Sequence, residues 1–340
     1  MILVTGGAGY IGSVLVPELL VRGEKVRVFD KLYFGKDSLQ DVLNRIDLVQ
    51  GDIREFDERI LDGVTGVIHL AALSNDPCSE YNPEANMQIN FQATENLAKA
   101  CKQKGIKRFV YASSCSVYYT LDPHDDLKDE ETPVNPTAPY SLSKHMAEKV
   151  LKALADDNFC PVMLRKGTVF GQSPRMRYDL VVNTFVKDAQ QKGRLTVTAG
   201  GEMWRPLLDI KDAADAYIQC LKAPEDKVKG QVFNVVHKNY RVLELAHWVK
   251  EVLNAKKQIE VDVKYFPPTA SRSYRVSFDK IKGAIGFEAR RGIAQAANEM
   301  WEVIDGKVTY DLNDPIYYNI KWMCLLEEMQ EKLKIIGRIF

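Results

Sequence analysis

The sequence predicts an α/β protein built on a doubly wound parallel sheet, with a smaller mixed α/β lobe towards the C-terminus. Three observations predict this class. The 340 residues have a hydrophobic content of 46%, enough for a large core. Short β-branched runs alternate with helix-length amphipathic segments. A glycine-rich turn joins the first strand to the first helix. The predicted strands are 2–4, 26–29, 47–49, 67–70, 108–112, 162–165 and 232–235.

The strand pattern also predicts how the chain divides into domains. After residue 165 it loosens into Gly-, Pro- and Arg-rich sequence around 171–177 and 199–206, which is typical of loops over a site. We therefore expect a dinucleotide-binding domain from residues 1–169 plus about 207–237. A substrate lobe is expected from about 170–206 and 238–310.

Residues 311–340 are expected to form a C-terminal amphipathic helix that starts near Asp314 and Pro315. Apolar residues recur in it at helical spacing: Trp322, Leu325, Leu326, Met329, Leu333 and Ile336. Packing on its own domain and a contact with a second subunit are both open.

Composition argues against several classes of function. Lys plus Arg and Asp plus Glu both total 46, so no basic excess favours nucleic acid or an acidic membrane surface. Apolar runs stay short of membrane-spanning length, and the first residues lead straight into the glycine-rich turn, so we expect a cytoplasmic protein. The six cysteines show no CxxC spacing and form no ligand cluster with the five histidines. Neither a disulfide framework nor a metal site is predicted.

The glycine-rich turn lies between the first strand and a helix predicted through residues 14–21. Gly6 permits the tight turn, Gly9 lets the backbone approach a pyrophosphate, and Gly12 allows close packing of helix on strand. The second strand ends in Asp30, about twenty residues further on, where a carboxylate accepts hydrogen bonds from ribose hydroxyls. This favours NAD, although the neighbouring Lys31 leaves room for NADP.

A second pattern follows the fifth strand, where Ser114 precedes Tyr140 and Lys144. Tyr140 and Lys144 are four residues apart and share one face of a predicted helix. An ammonium beside a phenol favours the phenolate, which can take a proton from a hydroxyl group. The same spacing recurs at Tyr317 and Lys321, which we interpret as ordinary sequence of the terminal helix.

Together these segments resemble the extended short-chain dehydrogenases, which have a Rossmann-type fold and include nucleotide-sugar epimerases, dehydratases, decarboxylases and ketoreductases. The segments are Thr5 to Gly12, His69 to Ala72, Ser114, and Tyr140 to Lys144. The resemblance spans nearly the whole chain. It implies that Tyr140 is the acid/base, that Lys144 is its electrostatic partner and that Ser114 binds the reacting hydroxyl.

The resemblance also implies a set of residues that bind the cofactor. They are Gly6, Gly9, Tyr10, Ile11, Gly12, Asp30, Asp52, Ile53, Leu70, Ala71, Ala72, Asn90, Tyr140 and Lys144. Asp52 and Ile53 are expected near the adenine. Asn90 is expected to support the site, with a helix cap as the alternative.

Substrate contacts are implied at Ser74, Ser114, Thr168, Asn183, Arg205 and Arg272. Arg205 is the first choice for binding the diphosphate, because a planar guanidinium can donate two parallel hydrogen bonds to phosphate oxygens. Arg272 and Arg275 are weaker candidates, since arginines on loops are more often solvated.

Three positions depart from the family pattern. Thr168 replaces an expected substrate-contacting Asn, and Tyr119 replaces a common Gly. Ser114 is followed by Cys115 and Ser116, where 4,6-dehydratases usually have an Asp-Glu pair. Cys115 is open as an unusual thiol acid or as a small packing residue.

The function hypothesis is a nucleotide-sugar 4-epimerase that uses NAD, with a UDP-hexose as the favoured substrate. A dehydratase that uses Cys115, a ketoreductase and a non-catalytic NAD-binding regulator remain alternatives. By resemblance, the helices at 88–103 and 141–155 predict a homodimer.

Overall fold

A computed structural model describes residues 1–119, 126–265, 273–306 and 311–336. Its strands are β1 Ile2–Thr5, β2 Val26–Asp30, β3 Asp47–Gln50, β4 Gly66–His69, β5 Arg108–Ser114, β6 Leu127–Lys128, β7 Cys160–Lys166, β8 Thr168–Phe170, β9 Arg194–Thr198, β10 Trp204–Asp209, β11 Val232–Val235, β12 Lys238–Arg241, β13 Glu260–Lys264 and β14 Arg275–Val276. Its α-helices are α1 Gly12–Val21, α2 Asp76–Tyr81, α3 Pro83–Met87, α4 Ala93–Gln103, α5 Pro139–Leu154, α6 Val181–Lys192, α7 Ile210–Lys222, α8 Glu225–Val228, α9 Val242–Leu253, α10 Asp279–Ile285, α11 Ile293–Asp305 and α12 Asn319–Ile336.

The main sheet has seven strands in the order β11-β7-β5-β4-β1-β2-β3. Every neighbouring pair in it is parallel. The predicted strands are all present, and the doubly wound α/β class is confirmed. The central strands β1 and β4 are buried along their whole length, because helices cover both faces of a parallel sheet.

The order of strands reverses beside β1, since β2 lies on one side of it and β4 on the other. In open parallel sheets a crevice forms at such a reversal, outside the carboxyl ends of the strands. The turns that follow β1 and β4 therefore meet at one edge. The fold places the predicted glycine-rich turn at this edge.

One predicted detail differs in the structure. Residues 207–209 do not return to the main sheet, because β10 pairs antiparallel with β12 and parallel with β8 in a separate three-stranded sheet. The chain rejoins the main sheet only at β11, through α7. The pairing of β10 with β12 accounts for this, because Trp204 to Leu207 pair with Lys238 to Arg241 and not with a strand of the main sheet.

The lobe after β8 is built from α6, α9 and α11 around the parallel pair β9 and β13. Gly193 ends α6 in the left-handed conformation, which glycine adopts without a Cβ clash. The hydrophobic core is continuous from β1 to α11. The division of the chain into a dinucleotide domain and a substrate lobe stays a prediction.

Candidate active site

A cleft of about 390 Å³ opens at the carboxyl edge of the main sheet. It brings together most of the residues predicted for the site: Gly6, Gly9, Tyr10, Ile11, Gly12, Asp30, Asp52, Ile53, Leu70, Ala71, Ala72, Ser74, Ser114, Tyr140, Lys144, Thr168 and Arg205. Residues some two hundred positions apart in the chain thus line one cavity. Arg272 lies outside the described residues.

The turn after β1 is packed so closely that two of its glycines leave no space for a side chain. Gly6 has φ +73°, and a Cβ there would lie 2.7 Å from the Ala71 backbone nitrogen. At Gly12 a Cβ would lie 2.5 Å from the Gly7 Cα. Ile11 stands at the N-cap of α1, and its apolar side chain cannot bond the first N–H groups. The helix start is therefore available to an anion such as a pyrophosphate.

Asp30 lies at the end of β2 and faces the same cleft. Its carboxylate accepts hydrogen bonds from the backbone N–H groups of Ala8, at 2.9 Å, and Leu32, at 2.7 Å. Burial raises the pKa of this carboxyl group, and the two backbone bonds act in the opposite direction. The position suits a carboxylate that accepts bonds from ribose hydroxyls. Lys31 pairs instead with Asp52, at 3.2 Å.

Tyr140 lies in the first turn of α5, which begins with Pro139 because a proline lacks an N–H that would be unpaired there anyway. Its side chain is 6% exposed and lines the cleft together with the Ser114 side chain. Burial raises the pKa of the Tyr140 phenol, and the neighbouring Ser114 hydroxyl counteracts that rise. Ser114 ends β5, so strand and helix fix the two hydroxyl groups side by side.

Lys144 lies one turn further along α5, with its Nζ 5.8 Å from the centre of the Tyr140 ring. The Nζ donates a 2.9 Å hydrogen bond to the Ala112 carbonyl, which holds the extended side chain against β5. Burial holds the pKa of Lys144 well below its usual range, and the nearby Lys166 ammonium lowers it further. The arrangement places the Tyr140 phenol and the Lys144 amino group together on the cleft, where they can exchange a proton with a hydroxyl group of a ligand.

Three predicted site residues do not lie on the cleft. Cys115 is fully buried and donates to the Arg165 carbonyl at 3.0 Å, and burial raises the pKa of its thiol. Asn183 is also fully buried, where its amide bonds Gly171 and Tyr10.

Asn90, the third of these, lies in a π-helical turn, Gln88–Gln92, rather than at a helix cap. Its amide accepts from the Leu73 N–H at 2.8 Å and donates to the Leu73 carbonyl at 3.0 Å. Because Leu73 lines the cleft, Asn90 supports the cleft wall from behind.

The cleft also contains cations that the sequence pattern does not single out. Arg177 is buried, binds Asp179 through two 2.9 Å contacts and donates to the Ser74 hydroxyl at 3.1 Å. Lys166 ends β7 beside Ser114. Both lie in or next to the loop sequence predicted to cover a site, which was the only available signal.

Arg175 is a further missed cation on the cleft wall. Its guanidinium lies 3.5 Å from the centre of the Phe34 ring and donates to the Asn319 side chain at 2.6 Å. Burial lowers the pKa of Arg175 to about 9. It therefore connects the loop after β8 with the start of α12.

The first turns of the terminal helix pack on their own chain, and a contact of this helix with a second subunit stays a prediction. The cleft is lined in part by Trp322, Met323 and Leu326 of α12. The Trp322 indole N–H donates to the Tyr33 carbonyl at 2.5 Å. The sequence pattern predicts no site residue on this helix.

The fold and cleft define an enzyme that binds a dinucleotide and acts on a hydroxyl group. A family model described as the NAD dependent epimerase/dehydratase family matches residues 2–235. The chain belongs to this family, within the extended short-chain dehydrogenases. Its members act on nucleotide sugars, and NAD is the cofactor; the glycine turn and Asp30 fit it.

Relatives within the family carry out different reactions. The chain is 31% identical to UDP-glucose 4-epimerase from Lactobacillus helveticus, over 78% of this chain and 83% of that protein. It is 29% identical to UDP-glucuronic acid decarboxylase 1 from Arabidopsis thaliana, over 88% of this chain and 68% of that protein. The solved structure of MoeE5 with UDP-glucose and NAD has a TM-score of 0.77 at 25% identity, covering 91% of this chain and 99% of MoeE5.

In the described part of the chain, no helix has both the length and the apolar character needed to cross a membrane.

Proposed function

We propose that the protein is a nucleotide-sugar 4-epimerase that oxidises C4 of a UDP-linked sugar transiently and reduces it again on the opposite face. The observation that carries the proposal is the placement of Ser114, Tyr140 and Lys144 together on a cleft that fits NAD. This set suffices to move one proton and one hydride. The likeness to UDP-glucose 4-epimerases supports the same reaction.

The chain's own groups account for the proton steps. Tyr140 takes the proton of the C4 hydroxyl, while Ser114 donates a hydrogen bond that holds the sugar oxygen in place. Lys144 stabilises the phenolate form of Tyr140 by its positive charge. The glycine turn and Asp30 would hold NAD, which would supply the hydride acceptor and donor for C4. After the 4-keto sugar has rotated in the cleft to present its opposite face, Tyr140 returns the proton to the C4 oxygen.

The surroundings of Cys115 favour epimerisation over elimination of water. A 4,6-dehydratase needs further acid and base groups beside the hydroxyl-binding residue. Here Cys115 points to the Arg165 carbonyl behind β5, and the next residue is Ser116. Neither side chain supplies a carboxyl group. Cys115 therefore suits packing better than proton transfer.

On the substrate side, we propose that Arg205 binds the diphosphate, with Thr168 and Ser74 near the sugar. Arg205 and Thr168 line the cleft on β10 and β8, which are paired neighbours. Arg177 already bonds the Ser74 hydroxyl and fixes its position. Asn183 serves this side indirectly, because its amide bonds the Tyr10 hydroxyl at 3.0 Å.

A product analysis tests the proposed reaction. The purified protein is incubated with NAD and a panel of UDP-, GDP-, CDP- and dTDP-hexoses, including uronic acids, and products are separated and weighed by mass spectrometry. A new sugar nucleotide of unchanged mass, without accumulation of NADH, is expected from a UDP sugar. Loss of water would indicate a dehydratase, and loss of carbon dioxide a decarboxylase. Stoichiometric NADH would indicate a dehydrogenase.

We also propose a homodimer formed through α4 and α5, in the cytoplasm. Light scattering checks the assembly, since a mass near 77 kDa, about twice the 38.5 kDa of one chain, is expected. A mass near one chain would contradict it.

A further inference from the structure

Lys166 brings a positive charge to the part of the cleft where the reaction takes place. It ends β7, and its register partner on β5 is Ser114. The Nζ donates a 3.0 Å hydrogen bond to the Ser113 carbonyl, and the half-buried side chain lines the cleft. Lys166 and Ser114 therefore lie side by side at the ends of neighbouring strands, and both line the cleft.

Within the described residues, Lys166 forms no ion pair. The buried carboxylate of Glu148 is bound by the Arg165 guanidinium, through contacts of 2.9 and 2.7 Å. Arg177 has its own partner in Asp179. Burial and the Arg177 charge lower the pKa of Lys166 to about 8, so most of it is charged at neutral pH.

A buried ammonium without a counter-ion is costly, because desolvation is not offset by an opposite charge. The Arg177 guanidinium makes this worse, since it is a second cation whose charge also lowers the pKa of Lys166. A ligand that brings a carboxylate to this point would remove the cost. The diphosphate of a nucleotide sugar cannot do so if C4 is the reacting carbon, because C1, which bears the diphosphate, lies across the ring from C4.

We propose that Lys166 binds a carboxylate at C6 of the sugar, so that the preferred substrate is a UDP-linked hexuronic acid. The inference rests on the proposed C4 chemistry, which places C4 at Ser114 and Tyr140. C6 is attached to C5, the ring neighbour of C4, and is the position at which a hexose is oxidised to a carboxylic acid. Lys166, one strand away from Ser114, is within reach of that group.

Binding to enzyme that cannot turn over separates recognition from catalysis. In NAD-loaded Tyr140→Phe protein, calorimetry measures the dissociation constants of UDP-glucuronic acid and UDP-glucose. We expect tighter binding of the uronic acid by about ten- to hundredfold, the range for a hydrogen bond to a charged group. Adding Lys166→Met should remove this preference and leave UDP-glucose binding nearly unchanged.

Two further variants serve as controls for the role of Lys166. Lys166→Gln removes the charge but keeps a donor for the Ser113 carbonyl, so it should show the same loss as Lys166→Met. Lys321→Met removes an exposed lysine elsewhere and should keep the preference. NAD content and circular dichroism confirm that each variant is folded and loaded.

The outcomes distinguish this inference from the proposed reaction. Equal binding of the two sugars, or equal weakening of both by Lys166→Met, would overturn the role of Lys166, even if the wild-type protein epimerises UDP-glucose. Retained preference in both Lys166 variants would overturn it as well. Failure of the wild-type protein to epimerise any sugar would overturn the 4-epimerase proposal, whereas the binding preference would still be measured.

Discussion

Tyr140 and Lys144 have the same spacing as Tyr317 and Lys321, but the two pairs have different structural settings. The first pair lies on α5, so a spacing of four places both side chains on one helical face. Tyr317 ends a short 3₁₀ turn, Pro315–Tyr317, and α12 begins only at Asn319. The second pair therefore does not share one continuous helix.

The surroundings differ as much as the backbone. Tyr140 and Ser114 both line the cleft. The Tyr317 ring packs edge-on against Tyr178, with 5.4 Å between ring centres. Lys321 is exposed, with its Nζ 4.2 Å from the centre of the Tyr318 ring. The second pair packs at the start of α12 and does not line the cleft.

A spacing of four residues between Tyr and Lys therefore indicates a catalytic pair only when a strand end brings a third group, here Ser114, beside the tyrosine. Ser114 reaches Tyr140 because β5 ends at the sheet edge where α5 begins. Four substitutions test the difference between the two pairs and the contribution of the residues around the cleft.

The largest effect is expected from Tyr140→Phe. Removing the phenol hydroxyl abolishes the proton relay, so turnover should fall at least about a hundredfold. Tyr317→Phe makes the same chemical change and should leave turnover close to wild type. Steady-state kinetics on both purified proteins decides this, and near-normal turnover of the Tyr140 variant would refute the assignment.

Replacing Lys144 with Met should lower kcat/KM by about ten- to hundredfold. Without the ammonium, the phenolate is less favoured and the pKa of Tyr140 rises. The ascending limb of the pH profile of kcat/KM should therefore move to higher pH.

Lys321→Met is the matched control for Lys144, and its profile should overlay that of the wild type. If the Lys144 variant lost activity without any displacement of the limb, Lys144 would act through structure or NAD binding instead.

A smaller loss, about tenfold in kcat, is expected from Ser114→Ala, because one hydrogen bond to the reacting oxygen disappears. Tyr140 remains in place, so the pH dependence should persist. The Ser114 hydroxyl also accepts from the Ser116 backbone N–H at 3.2 Å, so melting temperature is measured alongside. A loss that only followed instability would argue against a role in holding the sugar.

The smallest effect on chemistry is expected from Trp322→Ala on α12. Its indole covers the cleft and bonds the Tyr33 carbonyl, so its removal should speed NAD release by about tenfold with little change in kcat at saturating NAD. The protein is loaded with NADH, and the change in NADH fluorescence on its displacement measures the release rate. An unchanged release rate would show that α12 does not retain the cofactor.

Local sequence was sufficient for the parts of the site that depend on one turn or one helix. Gly6, Gly12 and Tyr140 owe their roles to backbone freedom or helical spacing, which can be read directly from the order of residues. The strands of the main sheet were equally accessible, because buried parallel strands are short apolar runs.

The remaining site residues depend on contacts between distant segments. Trp322 reaches the cleft only because α12 folds back to Tyr33, 289 positions away. Arg177 and Lys166 acquire meaning from their neighbours Ser74 and Ser114 on other elements. Asn183 and Cys115 were selected by motif, but packing turns both side chains away from the cleft.

The most direct test of the central claim follows the hydrogen on C4. UDP-glucose and UDP-glucuronic acid, each carrying deuterium at C4, are incubated with the NAD-loaded protein, and products are analysed by mass spectrometry and NMR. Transient oxidation by the Tyr140 site predicts a C4 epimer that keeps the deuterium at C4, with no NADH accumulating. An epimer that has exchanged its C4 deuterium for solvent hydrogen, or deuterium recovered in released NADH, would contradict this account.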